Sequence, residues 1–257
     1  GIAHRALRPL MGIVDPDNTR SLPPLVAACS GFDVLSHALE SYTALPFDQR
    51  PAPENPGARP PYQGSNPISD IWAERSLTAV ADNIVRAVTD PEDEDARKSM
   101  MLAATLAGIG FGNAGVHLPH AMSYPIAGGV REFSPADYDS THPLVPHGMA
   151  VVVTAPAVFR FTAPSNPARH LHAARLMGTE VDSDVLDDAG EILAERLIEL
   201  MKATGMPNGL ADLGYDLNDL DELVAGTLPQ QRLTKLSPIA AGPSDLRALF
   251  TESMTLW

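Results

Sequence analysis

The sequence predicts an all-α fold, a bundle or array of about eight or more helices. Two observations carry this. From Ser21 onward the apolar residues recur almost everywhere with helical spacing. Only Leu10 to Val14, ended by Asp15-Pro16, reads as a strand.

The elements follow in order. Ser21 is a candidate N-cap, with Pro23-Pro24 in the first turn, and Gly31 is expected to break that short helix. A second helix is expected from Phe32 to Ala44, with Val34, Leu35, Ala38, Leu39 and Tyr42 as its buried stripe. Residues 46 to 67 hold seven prolines and predict a long irregular loop. Asn66-Pro67 opens the next helix, with Asp70 in its first turn, and Asp90-Pro91 ends it after Val88. Glu92 to about Gly108 is another. Pro146 to Phe161 reads as one long apolar helix despite Pro156, and Ala168 to Met177 as a short one. Asp182 to Thr204 is strongly amphipathic, with acids at its start and Lys202 near its end. Short helices are expected over 208–213 and 217–226, and 243–255 closes the chain.

The chain has 257 residues, enough to bury a sizeable core. With 32 acidic and 18 basic residues its formal charge is -14, which argues against a nucleic-acid backbone or an anionic membrane surface as partner. A single cysteine, Cys29, excludes an internal disulfide framework and a Cys-rich zinc module. No run of apolar residues approaches the length of a transmembrane helix. The start, Gly1-Ile-Ala-His4, has no initiator Met and no signal or transit pattern, so the expectation is a chain that begins inside a longer protein.

The histidines carry the chemistry. Asp33 and His37 are four apart, so on a helix both side chains share one face and can reach one ion. For an isolated D-x-x-x-H a surface ion pair or a core histidine is the plainer reading. The later segments shift that balance. His117 and His120 lie in a Gly-flanked apolar stretch, and His142-Pro-Leu-Val-Pro-His147 follows. Polar groups in such settings need partners, and a metal would satisfy several together. A carboxylate with imidazoles suits Fe(II), Zn or Mn. His170 and His172 are expected on a solvated helix face, and His4 in a frayed start, none of them as ligands.

The strings Gly31-Phe-Asp33-Val-Leu-Ser-His37-Ala-Leu-Glu40-Ser-Tyr42, His120-Ala-Met-Ser-Tyr124-Pro and Pro146-His147-Gly148 resemble the iron-containing alcohol dehydrogenases. Among them the chain is most similar to the hydroxyacid-oxoacid transhydrogenase branch. That likeness extends to Tyr62-Gln-Gly-Ser-Asn-Pro-Ile-Ser-Asp-Ile-Trp72 and to Gly226-Thr-Leu-Pro-Gln-Gln-Arg232-Leu-Thr-Lys235-Leu236.

The resemblance implies the helical C-terminal domain of the iron-dependent alcohol dehydrogenase / dehydroquinate synthase-like fold over residues 21–257. Residues 1–20 would be the remnant of an α/β cofactor-binding domain. It implies a divalent metal, Fe2+ or Zn2+, held by Asp33, His37, His120 and His147, and NAD(P) in the full-length enzyme. The family binds the dinucleotide through a Gly-Gly-Gly-Ser run that this sequence does not contain, so no cofactor-binding residue is named. The implied substrates are a hydroxyacid such as 4-hydroxybutyrate and an oxoacid such as 2-oxoglutarate. Where many relatives carry a proton-relaying His, this chain has Tyr124. His117 and His142 are candidates to orient a ligand or bind a carboxylate, with a purely structural role as the alternative. Arg131, Arg232 and Lys235 are candidates to contact acidic substrates, with an exposed salt bridge as the plainer role for each. Homo-oligomerisation stays open. A bacterial chain would be cytoplasmic and a eukaryotic one mitochondrial. An ordinary NAD(P)-dependent dehydrogenase, or a silent helical assembly module lacking its cofactor domain, are the competing readings.

Overall fold

The computed structural model describes residue 7 and residues 10–181 and 185–257; His4 and the expected helix start at Asp182 lie outside them. The described residues form eleven α-helices and no strand, as the sequence predicts for fold class. Leu10 to Val14 corrects the strand reading: Leu10, Met11 and Ile13 are exposed, and among the described residues no second strand offers a hydrogen-bonding ladder.

Helix α1 is continuous over Pro24–Thr43, so Gly31 does not break it. A Cβ at Gly31 would lie 2.9 Å from Ile84 Cδ1 and 3.1 Å from Met100 Cε. The glycine therefore costs helix propensity, roughly 1 kcal/mol, and lets two neighbouring helices close on α1. Those neighbours are α2 (Pro67–Thr89) and α3 (Glu94–Ala114), which pack along each other and against α1. Asn66 caps α2 by accepting the Ser69 N–H, as its sequence predicts. Asp93 caps α3, which runs past the expected end at Gly108 and stops only at Gly115, where φ is +89°. Between α1 and α2 the proline-rich segment is irregular, with two short 3-10 turns and one isolated bridge, Pro46 to Ser65.

Helix α4 (Leu118–Gly128) was not legible as a helix. Residues Leu118 to Ser123 are buried all round, so no polar face marks the period, and Pro125 lies inside it. The expected long helix after Pro146 is two: α5 (His147–Val152) and α6 (Ala155–Thr162). Pro156 cannot donate to a preceding turn and sits in the first turn of α6, so the chain restarts there.

Helices α7 (Pro167–Leu176) and α8 (Ala189–Ala203) pack together, and α6 lies on α8. Helix α9 (Leu220–Thr227) packs on α4, α10 is the single turn Gln231–Thr234, and α11 (Pro243–Glu252) packs on α9. Phe32, Leu35, Leu39, Leu77, Ile84, Met122 and Phe159 are fully buried in one shared core. Each large side chain buried this way contributes roughly 1.5–3 kcal/mol. Among the described residues no single helix is long and apolar enough to cross a membrane.

Candidate metal centre

Three helices meet at one carboxylate. Asp33 and His37 sit one turn apart on α1, with His37 Nδ1 3.6 Å from Asp33 Oδ2. The first turn of α4 delivers His120, whose Nε2 lies 3.4 Å from Asp33 Oδ1. The first residue of α5 delivers His147, whose Nε2 lies 3.6 Å from the same oxygen. One ligand atom each from Asp33, His120 and His147 falls within 4.8 Å of the others. His37 adjoins this group: its ring centroid is 4.4 Å from that of His120, and it stacks on Phe111 at 4.0 Å.

Two atoms at the centre test whether a cation fits. Asp33 Oδ1 and His120 Nε2 are both buried and make no hydrogen bond. Leaving such groups unsatisfied costs roughly 1–3 kcal/mol each. One divalent ion would satisfy both, and an imidazole-carboxylate donor set suits iron or zinc.

The charge states of Asp33, His37 and His147 agree with that use. Burial raises the Asp33 carboxyl, but the adjoining His120 and the charges of His37 and His147 outweigh it and hold it below the usual range. Burial, with the charge of His120, lowers His37 to about 4, and burial also lowers His147. Both therefore offer neutral imidazoles near pH 7. His120 goes the other way, to about 9: burial opposes its charge, but the Glu40 and Asp33 carboxylates prevail.

Glu40 is the residue that the sequence motif contained without revealing its place. It is fully buried. Its Oε1 lies 2.6 Å from His120 Nδ1, and its Oε2 accepts the backbone N–H groups of His117 at 2.7 Å and of His120 at 3.4 Å. The only hint in the sequence was its position one helical turn beyond His37 on the same face.

The other candidates scatter. His117 is buried behind the centre, with Nε2 3.0 Å from Thr43 Oγ1, and burial lowers its pKa to about 4. His142 is exposed on the loop before α5, held through its backbone by Ser140. Tyr124 lies one turn after His120 on α4 and packs, as Tyr62 and Phe111 do, against Val116, Ala121 and Leu233. Arg232 Nη2 donates to its hydroxyl at 3.3 Å. Arg131 is tied to Asp219 through two nitrogens at 2.6 and 2.8 Å and lies over the Tyr215 ring. Lys235 is exposed just after α10. His170 departs from expectation: it is buried, with Nε2 3.0 Å from Thr162 Oγ1 and Nδ1 2.9 Å from the Asn166 carbonyl. The exposed reading failed because α7 packs on α8 and the His170 ring points inward to Thr162 and Phe159 of α6.

One string, Gly110-Phe-Gly-Asn-Ala-Gly115, has the spacing of a dinucleotide fingerprint. It forms the last turn of α3 and its cap. A phosphate cradle needs those glycines after a strand and at the start of a helix, so the string does not build one here.

Residues 62–254 match the family described as Fe-containing alcohol dehydrogenase family, C-terminal. The mitochondrial hydroxyacid-oxoacid transhydrogenase of Xenopus tropicalis is 54% identical over 258 residues, covering all of this chain and 56% of that protein. Its human counterpart is 53% identical, with 55% of its length covered. The chain thus spans about half the length of these curated relatives. Among solved structures, an iron-containing alcohol dehydrogenase from Thermococcus thioreducens superposes with a TM-score of 0.76 at 27% identity, over 98% of this chain and 57% of that one. A 1,3-propanediol oxidoreductase superposes with a TM-score of 0.77 at 26% identity, over 93% of this chain and 54% of that one. The family match covers most of the sequence, and with the helical architecture described above it establishes that the chain belongs to the iron-containing alcohol dehydrogenase family.

Proposed function

We propose that this chain is the metal-bearing catalytic part of a hydroxyacid-oxoacid transhydrogenase. In this reading hydride passes from a hydroxyacid such as 4-hydroxybutyrate to an oxoacid such as 2-oxoglutarate through bound NAD. The observation that carries it is the convergence of Asp33, His120 and His147, with His37 adjoining, in a chain whose full length aligns with proteins of that name.

Asp33, His37, His120 and His147 would hold Fe2+ or Zn2+, which supplies Lewis-acid polarisation of the substrate oxygen. Hydride acceptance and return would belong to the nicotinamide, held by the cofactor domain expected of the full-length enzyme. The chain itself provides the anionic Asp33, the neutral imidazoles of His37 and His147, and the apolar wall of Phe111. Tyr124 occupies the place, one turn after His120, where an ordinary dehydrogenase would pass a proton to solvent. Tyrosine accepts protons poorly near neutral pH, and the Arg232 N–H already points at its oxygen. Retention of the proton between the two half-reactions follows, which favours transhydrogenation over the ordinary dehydrogenase reading. The intact acid-imidazole cluster counts against a silent assembly module.

Location follows the same logic: mitochondrial in a eukaryotic cell, like the named relatives, and cytoplasmic in a bacterial one. The test is to join the chain to a matching cofactor domain and follow conversion of 4-hydroxybutyrate with 2-oxoglutarate in the absence of free NAD. Exchange without added NAD supports the proposal. Turnover that depends wholly on added NAD makes the protein an ordinary dehydrogenase.

A further inference from the structure

The buried carboxylate of Glu40 faces three N–H groups: the backbone N–H of His117, the backbone N–H of His120, and the His120 ring at Nδ1. A carboxylate can only accept. At 2.6 Å the ring nitrogen must therefore donate, so Nδ1 keeps its proton and Nε2 is the nitrogen free to give up its own to an ion. Nε2 is the atom that lies 3.4 Å from Asp33 Oδ1 with no hydrogen bond.

We infer that Glu40 is the positioning residue of the metal centre, fixing the His120 ring so that Nε2 is the nitrogen offered to the ion. The inference rests on the metal-centre reading proposed above. The same carboxylate caps the start of α4 from α1, so one side chain sets both the height of α4 and the direction of its ligand. A partner of this kind orients a metal-bound imidazole and strengthens it as a donor. His117, though adjacent, does not share the role. Its ring bonds Thr43, which itself donates to the Leu39 carbonyl, and only its backbone reaches Glu40.

Glu40→Gln separates positioning from packing. The amide has nearly the same shape but a single acceptor oxygen, so its NH2 must face an N–H group. A backbone N–H cannot give up its proton, whereas an imidazole can change tautomer. The least costly arrangement keeps the amide oxygen on the backbone and turns the NH2 to His120 Nδ1. The ring proton then moves to Nε2, the nitrogen that the ion needs.

The experiment uses the 257-residue chain with Zn2+ alone as probe, its affinity read by competition with a chromophoric chelator. Imidazole 15N spectra of the zinc-loaded protein report which His120 nitrogen carries hydrogen. Glu40→Gln is expected to bind zinc roughly 10–100-fold more weakly. Glu40→Asp, which keeps an acceptor-only group, is expected to recover a large part of that loss. Thr43→Val cuts the neighbouring His117 bond and is expected to leave zinc affinity within about threefold, although it lowers the melting temperature. The wild-type spectrum should show a slowly exchanging N–H on Nδ1 of His120. Wild-type affinity in folded Glu40→Gln, an equal loss in Thr43→Val, or zinc on Nδ1 overturns the inference while leaving the metal centre standing. If Glu40→Gln does not fold, the affinity of Glu40→Asp relative to Thr43→Val and the wild-type ring spectrum decide it. A wild-type chain that takes up no zinc sinks both.

Discussion

Gly148 lies so close to α1 that a Cβ on it would stand 1.9 Å from the Cys29 carbonyl oxygen and 3.0 Å from Asp33 Cβ. No side chain fits there. The first turn of α5 can therefore rest directly on the main chain of α1, and His147, one residue earlier, comes within 3.6 Å of Asp33.

Gly148→Ala should consequently separate α5 from α1. Overpacking against fixed backbone costs about 1–3 kcal/mol, and the same displacement carries His147 away from Asp33. The variant is expected to lose stability in urea and also to bind zinc at least about tenfold more weakly. Unchanged zinc affinity in a destabilised variant would show that the approach of α5 serves packing and not the metal.

His120→Ala should remove about one zinc ion per chain, because it deletes a buried ligand atom at the centre. His142→Ala is the matched control: its side chain is exposed on a loop tethered through its backbone. Metal analysis after dialysis reads both. Equal contents in wild type and His120→Ala would remove that histidine from the centre.

The fold and the cluster were legible in the sequence to different depths. Helices that bury one face and expose the other declare their period, so α2 was found to within a residue or two and α8 to within one residue at its end, while its start at Ala189 follows a separate 3-10 turn over Leu186–Asp188. Helix α4 was missed because burial on every side erases the period. Gly31 and Pro156 were misread for different reasons: local propensity pointed to a break at Gly31, which close packing against Ile84 and Met100 overrides, whereas at Pro156 the apolar pattern was followed past a proline whose missing N–H divides the helix. At the site, Asp33 and His37 share a face by spacing alone, but nothing in the spacing brings His120 and His147 to Asp33. That takes the docking of three helices. Glu40 stayed hidden because a buried carboxylate looks in sequence like any helix-surface acid.

His170 makes the low-pH stability of the chain testable. Burial, against a raising contribution from the Asn166 carbonyl, lowers its pKa from 6.5 to about 4. The folded protein then binds the proton less readily than the unfolded chain does. Its contribution is fully present above about pH 6.5 and is lost as pH falls toward 4. A shift of that size corresponds to roughly 3 kcal/mol. With a chelator present throughout, the stability advantage of wild type over His170→Asn should shrink by about that amount between pH 7 and pH 4, measured by urea unfolding. A difference that stays constant across that range would mean that His170 does not titrate with folding.

Tyr124 should decide how protons leave the site. Its hydroxyl receives an N–H from Arg232 at 3.3 Å, and its ring packs, as Tyr62 and Phe111 do, against Val116, Ala121 and Leu233. Phenols in general are poor proton acceptors near neutral pH. In the enzyme joined to its cofactor domain, Tyr124→His puts an imidazole one turn from His120. The Arg232 guanidinium beside that position disfavours a second positive charge and so keeps the new ring neutral and able to accept. Turnover with added NAD should then rise by roughly tenfold relative to exchange without it, somewhat below the usual range of acid–base contributions. Tyr124→His combined with Arg232→Gln should shift the pH profile of the NAD-dependent reaction upward, because the ring no longer faces a guanidinium. If the ratio of the two activities is the same in wild type and Tyr124→His, the residue does not control proton release, and its place beside Arg232 is a matter of packing.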